Sequence, residues 1–187
     1  MAKEREIEGI SARTPFAEAG AKVVETRAAE LMGHAGGVLD TAEIEGVHDM
    51  RVATRRLRAA LEVFAPCFPK AAHKRVLKEV KAIADALGER RDRDVAIASL
   101  TSFAAEMPAP DRPGIASLAE RFRSEQLEAN SALAPFVDPK RLERLHDSLR
   151  ELAAAARSTV EEDEAIPPAV APAPVAPANG QGAGEGP

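Results

Sequence analysis

Between Val47 and Phe64 the chain reads VHDMRVATRRLRAALEVF, which sets one histidine and four arginines inside a run with helical hydrophobic spacing. Turning about 100° per residue from His48 brings Arg51, Arg55, Arg58 and Glu62 to the same side. Met50, Ala53, Leu57, Ala60, Leu61 and Phe64 fall opposite, and Arg56 lies at the border. From His48 to Arg58 the cationic row spans roughly 15 Å at helical rise. Guanidinium forks grip phosphate oxygens two at a time, so the chemistry on offer is the binding of an extended anion. A solvated helix face normally mixes signs so that i, i+4 pairs offset one another. Here Arg51, Arg55 and Arg58 repel each other, with Glu62 as the one obvious partner at the far end. That repulsion costs a few tenths of a kcal/mol per pair and points to an anionic partner.

The following segment adds to this. Lys70, Lys74, Lys78 and Lys81 recur in steps of four, four and three and form a second cationic row, roughly 16 Å long. Val76, Val80, Ile83 and Leu87 lie on another side and belong to a core. The short PCFP turn makes the two helices antiparallel neighbours, so the two rows are expected to flank one groove. Arg90, Arg91 and Arg93 cluster just beyond. From His48 to Arg93 there are twelve Lys and Arg against six Asp and Glu, a segment charge of +6 that leaves −11 for the remainder of a chain whose total is −5. An acidic total thus conceals a basic patch. Such a patch draws polyanions, while the acidic remainder discourages indiscriminate nucleic-acid binding.

The elements that must position these residues read as helices. The chain has 187 residues, enough for one domain with appendages, and 45% of them are hydrophobic. Thr14-Pro15 opens a helix with Phe16, Val23, Val24, Ala28 and Leu31 on one side, fading at GHAGG. DTAE (Asp40 to Glu43) has capping-box spacing and opens a second helix ending at Pro66. A third is expected from about Pro69 to Gly88, and a fourth from near Asp92 to MPAPDRPG. A fifth starts near Pro113 with Ile115, Leu118, Phe122 and Leu133 as its apolar residues. A sixth follows Asp138-Pro139 with Leu142, Leu145, Leu149, Leu152 and Ala156. No segment has the period-two pattern of a strand. The expectation is an all-α bundle of antiparallel helical hairpins, about six helices over residues 14–164, preceded by a flexible N-terminus (1–13). Residues 165–187 are Pro, Ala and Gly with almost no charge and read as a disordered tail.

Aromatic residues make up 3% of the chain and all are Phe, which equips it poorly for stacking on single-stranded nucleic acid. The single cysteine, Cys67, excludes an internal disulfide, suits a reducing compartment and reads as a packing or turn residue. No apolar run approaches the ~20 residues that span a bilayer, and MAKEREIEGI lacks the apolar centre of a signal peptide. A cytoplasmic location without a membrane partner is expected.

VHDMRVATRRLRAALEVF resembles the signature helix of the CHAD family, the conserved-histidine α-helical domain. The pattern is a histidine, an arginine three residues on, and an Arg-Arg-Leu-Arg cluster, here His48, Arg51, Arg55, Arg56, Leu57 and Arg58. The family's next signature, Leu-Gly followed by Arg-Asp-x-Asp-Val, resembles Leu87, Gly88, Arg91, Asp92, Asp94 and Val95. The resemblance implies a helical domain that binds inorganic polyphosphate through a basic groove and associates with polyphosphate granules. It implies that His48, Arg51, Arg55, Arg56, Arg58 and Arg91 contact phosphates; spacing adds Lys70, Lys74, Lys78 and Lys81. Asp92 and Asp94 read as residues that cap the fourth helix or hold arginines. The family domain has two similar halves, each with a His and Arg helix. Here the second is reduced to a faint echo, LHDSLRELAAAAR, with His146, Arg150 and Arg157. The groove is then closed by one chain, closed by a homodimer, or left open.

The leading function is a non-catalytic polyphosphate-binding module without cofactor or metal. A phosphoanhydride-processing enzyme would want a metal site or a positioned base, and His34, His73 and His146 show no ligand spacing. A histidine phosphotransfer bundle also exposes one histidine, but the arginines around His48 exceed what that reaction needs. Duplex DNA binding is disfavoured by total charge and the lack of a reading motif. Glu4, Glu6 and Glu8 alternate as at the opening of triphosphate-tunnel enzymes, but the lysine that should follow them is absent.

Overall fold

The structure, a computed structural model, describes residues 5–164. All regular elements among the described residues are helical: α1 (Phe16–Gly33), α2 (Ile44–Val63), α3 (Lys70–Glu106), α4 (Arg112–Leu133) and α5 (Pro139–Glu164). Three one-turn 3-10 segments link them, Ala65–Cys67, Ala109–Asp111 and Ala134–Phe136, and each is an Ala-Pro step. Proline lacks the N–H that the preceding turn needs and its ring crowds the carbonyl four residues back, so each Ala-Pro ends or separates helices. The tail expected at 165–187 lies outside the described residues. No helix among the described residues is long and apolar enough to cross a membrane.

The all-α expectation holds, with five helices in place of six. The expected break between Gly88 and Asp92 does not occur: α3 runs unbroken for 37 residues. A single interior glycine costs a helix about 1 kcal/mol relative to alanine, too little to end it where neighbouring interactions favour continuation. Two i, i+4 pairs lie just beyond Gly88: Arg93 to Glu89 at 2.6 Å on the surface, and Arg90 to Asp94 in the interior. Asp92 therefore caps nothing. The start of α2 also differs from expectation. Asp40 accepts from the N–H of Ala42, which makes a local turn, and the helix begins at Ile44 with the Glu43 side chain accepting from Glu45 N–H.

α1, α2, the first half of α3 and α5 surround one core. α1 contributes Ala21, Val24, Ala28 and Leu31. α2 contributes Val47, Met50, Ala53, Leu57 and Leu61; α3 contributes Val76, Val80, Ile83 and Leu87; α5 contributes Leu142, Leu145, Leu149, Leu152 and Ala156. α4 lies mainly along the second half of α3. Of its expected core residues only Leu133 is fully buried, while Leu118 is exposed, because α4 covers α3 and not the bundle centre. Gly20 lets α1 approach the end of α2: a Cβ there would lie 2.8 Å from the Phe64 ring. α1 and α5 are clasped by Arg157, which donates to both Glu25 carboxylate oxygens at 2.7 and 2.6 Å. That hydrogen-bonded guanidinium holds the Glu25 carboxyl below the usual carboxylate range.

The turn between α2 and α3 is clamped from within. His73 Nε2 donates to the Leu61 carbonyl at 2.8 Å, satisfying one of the carbonyls left free at the end of α2, and its ring stacks on Phe68. Cys67 sits in this turn as a packing residue, and burial pushes its thiol pKa up. The two halves of α3 are held differently. Arg90 is fully buried, paired with Asp94, and Gln126 of α4 donates to Asp94 at 2.6 Å. Removing one partner of a buried ion pair leaves an uncompensated charge and typically costs about 3–5 kcal/mol. Asp94→Ala is accordingly expected to lower unfolding free energy by about that amount in urea melts. The double variant Arg90→Leu with Asp94→Leu should be less damaging than Asp94→Ala alone.

Candidate functional site

Burial of the apolar face of α2 leaves Arg51, Arg55 and Arg58 exposed on the opposite face. They form one wall of a groove of ≈ 390 Å³ between α2 and α3, whose other lining residues are Ala84, Asp85, Gly88, Glu89 and Asp92. The helices run antiparallel. Glu62 of α2 meets Lys81 of α3 through their long side chains at 3.2 Å, and the groove beyond that pair is lined by Arg58, Arg55 and Arg51 from α2 and by Asp85, Gly88 and Asp92 from α3. Because α3 is one helix, those three residues continue the lysine row on the same face, within about 40° of Lys81 at helical spacing. The row on α3 thus changes sign after Lys81, and the arginines of α2 face carboxylates.

The two cationic rows lie on neighbouring antiparallel helices tied at His73–Leu61 and Arg91–Ile44. They were expected to flank one groove, but the groove that the arginines line does not include Lys70, Lys74, Lys78 or Lys81 in its lining. Lys70, Lys74 and Lys78 are exposed and outside the groove lining. Lys81 stands at the junction, where it and Arg58 share Glu62: Arg58 Nε donates to Glu62 at 3.1 Å. Hydrogen bonds from Arg58 and then Lys81 hold the Glu62 carboxyl below its ordinary range. Arg51 and Arg55 make no ion pair within 4.0 Å among the described residues, so their guanidinium groups stand open to the groove.

The remaining expected residues are spread around this centre. His48 is half-buried, one turn before Arg51 on the same row, and Arg56 is half-buried and already engaged by the protein. Arg91 makes a long hydrogen bond, 3.5 Å, to the Ile44 carbonyl. It tethers the first turn of α2 to α3 and does not line the groove. Asp94 holds Arg90, as one of its two expected roles required. Sequence reasoning missed Asp85, Gly88, Glu89 and Asp92 as lining residues. Their spacing relative to Lys81 would have found them had α3 been read as continuous.

The echo in α5 does not join the groove. His146 lines a mainly apolar cavity with Met32, Val137 and Leu142, and Arg157 is committed to Glu25 and Glu18. A second cleft, of ≈ 430 Å³ between α3 and α5, carries Arg75 and Arg144, but Glu79 and Glu151 line it too. The α2–α3 groove, by contrast, brings three arginines together along one helix face.

The CHAD domain family model matches residues 22–182 of the chain. No curated protein and no solved structure shows significant similarity to it. The matched span contains both the arginine row of α2 and the Leu87–Val95 segment that supplies part of the other wall, and on that match the chain belongs to the CHAD domain family.

Proposed function

We propose that the protein binds inorganic polyphosphate along the arginine row of α2, as a binding module and not as a catalyst. The observation that carries this is the alignment of Arg51, Arg55 and Arg58 along one groove, with Arg51 and Arg55 unneutralised by any ion pair among the described residues. A linear anion with a charge on every repeat suits a row of guanidinium groups one helical turn apart. Each fork can take two oxygens of one phosphate, and membership of the family supports the same ligand. Lys81, Lys78, Lys74 and Lys70 on the neighbouring helix add further cations. The arginine row covers roughly 10 Å and the lysine row roughly 16 Å at helical rise, each longer than a single phosphate pair, which favours long chains over pyrophosphate.

The non-catalytic reading rests on His48. It stands in a row of cations, and no carboxylate among the described residues is bonded to it to orient it as a base. Incubation with polyphosphate and Mg²⁺ should release no phosphate. Location in the cytoplasm at polyphosphate-rich granules follows from the binding reading, and a fluorescent fusion should co-localise with them.

The direct test is a titration with long-chain polyphosphate at several salt concentrations. Counterion release makes binding salt-dependent, with a slope of about 0.7–0.9 per contact in the nucleic-acid case. Arg51→Ala with Arg55→Ala removes two charge-assisted contacts of about 1.5–3 kcal/mol each. Affinity should fall at least about 100-fold and the slope should shrink by roughly 1.5, with helical circular dichroism unchanged. Wild-type binding that is insensitive to salt would contradict the proposal.

The acidic wall gives a test of opposite sign. A carboxylate about 7 Å from a phosphate disfavours it by roughly 0.5 kcal/mol even in water. Asp85→Asn, Glu89→Gln and Asp92→Asn combined should therefore tighten polyphosphate binding by about tenfold at low salt, and the gain should fade as salt screens the charges.

A further inference from the structure

Gly88 is an anomaly within α3. It sits inside a helix that continues for eighteen residues past it, to Glu106. Its backbone does not require glycine, since positive φ occurs only at Gly9 and Gly37 among the described residues. Packing does not require it either: a Cβ built at Gly88 meets no heavy atom within 4 Å. This separates it from Gly20, where the Phe64 ring excludes a side chain. Glycine in a helix interior is otherwise destabilising because its backbone loses the most freedom on folding. Neither the fold nor the backbone thus accounts for a residue that weakens the helix.

Its position suggests what does. Gly88 lines the same groove as Arg51, Arg55 and Arg58, and on α3 it sits between Asp85 and Asp92. The residue one turn earlier on the same wall, Ala84, is also small. At Gly88 the α3 wall is bare backbone, and Arg51 and Arg55 of the same groove have no ion-pair partner among the described residues.

We infer that Gly88 is the floor of the ligand groove: the absent side chain lets a phosphate chain settle against the α3 backbone, within reach of Arg55 and between the carboxylates at either end. This rests on the polyphosphate reading and adds a specificity-determining residue to it. A bulky side chain at this position should raise the floor, hold the chain away from Arg55 and leave the protein folded.

The experiment compares Gly88→Ala and Gly88→Leu with the wild type. Ala98→Leu, an exposed site on α3 outside the groove, serves as a control. Melting midpoints and affinities for long-chain polyphosphate are measured on the full chain. Both Gly88 variants should melt at or above the wild-type temperature, because alanine and leucine are better helix formers. Affinity should fall modestly for Gly88→Ala and at least tenfold for Gly88→Leu, while Ala98→Leu binds as wild type. A Gly88→Leu protein that binds as tightly as wild type overturns this inference alone. One that unfolds overturns it as well, since the space above Gly88 is then not free. A wild type that binds no polyphosphate overturns the proposed function and this inference with it.

Discussion

Burial of one face of α2 against α3 is the constraint on which the rest depends. Val47, Met50, Ala53, Leu57 and Leu61 are almost fully enclosed in the same core as Val76, Val80, Ile83 and Leu87. Each such leucine or isoleucine contributes about 1.5–3 kcal/mol by leaving water, far more than the few tenths lost per arginine–arginine repulsion on the other face. The apolar face therefore dictates orientation, and the arginines must accept the positions left to them. The same packing brings Arg51, Arg55 and Arg58 of α2 into one groove with Asp85, Gly88 and Asp92 of α3. His73 and Arg91 tie the two helices near either end of α2, one at the Leu61 carbonyl and the other at the Ile44 carbonyl.

A groove with arginines on one wall and carboxylates on the other behaves differently from a uniformly basic channel. The carboxylates lower the net potential that an arriving anion meets, which disfavours weak, nonspecific polyanions. The arginines still offer directed hydrogen bonds to a ligand that enters. Charge complementarity across an interface shapes selectivity more than raw affinity, and here the complementarity is internal, so a ligand has to outcompete it. Of the three groove arginines only Arg58 is ion-paired among the described residues, to Glu62, and Arg51 and Arg55 stay available. The acidic remainder of the chain acts in the same direction at longer range.

The faces of α2 and α5 were legible because each helix buries one stripe and the spacing of Leu57 and Leu61, or of Leu145, Leu149 and Leu152, records it. The basic row followed from the same periodicity. What could not be read was where helices stop. Gly88 beside a run of charges resembles a boundary, and only the interactions just beyond it favour continuation, one of which needs Gln126, 32 residues from its partner Asp94. That misreading hid the groove's second wall, since Asp85 and Asp92 extend the lysine row only if the helix is unbroken. Burial of Arg90 was illegible for a related reason: an arginine belongs in a core only when its partner and the covering helix are both in place. The capping-box spacing at Asp40 described a real turn but one turn too early, because Asp40 bonds to Ala42 and not to the helix.

The central claim, that α2 presents its arginines to a polyphosphate chain, is tested most directly by following the guanidinium Nε–Hε resonances by NMR during titration with long-chain polyphosphate. Arg51 and Arg55 should shift first and furthest, with Arg58 following as it is drawn from Glu62, while Arg75 and Arg144 in the opposite cleft stay in place. Shifts confined to Arg75 and Arg144, with Arg51 and Arg55 unmoved at saturating ligand, would contradict the account.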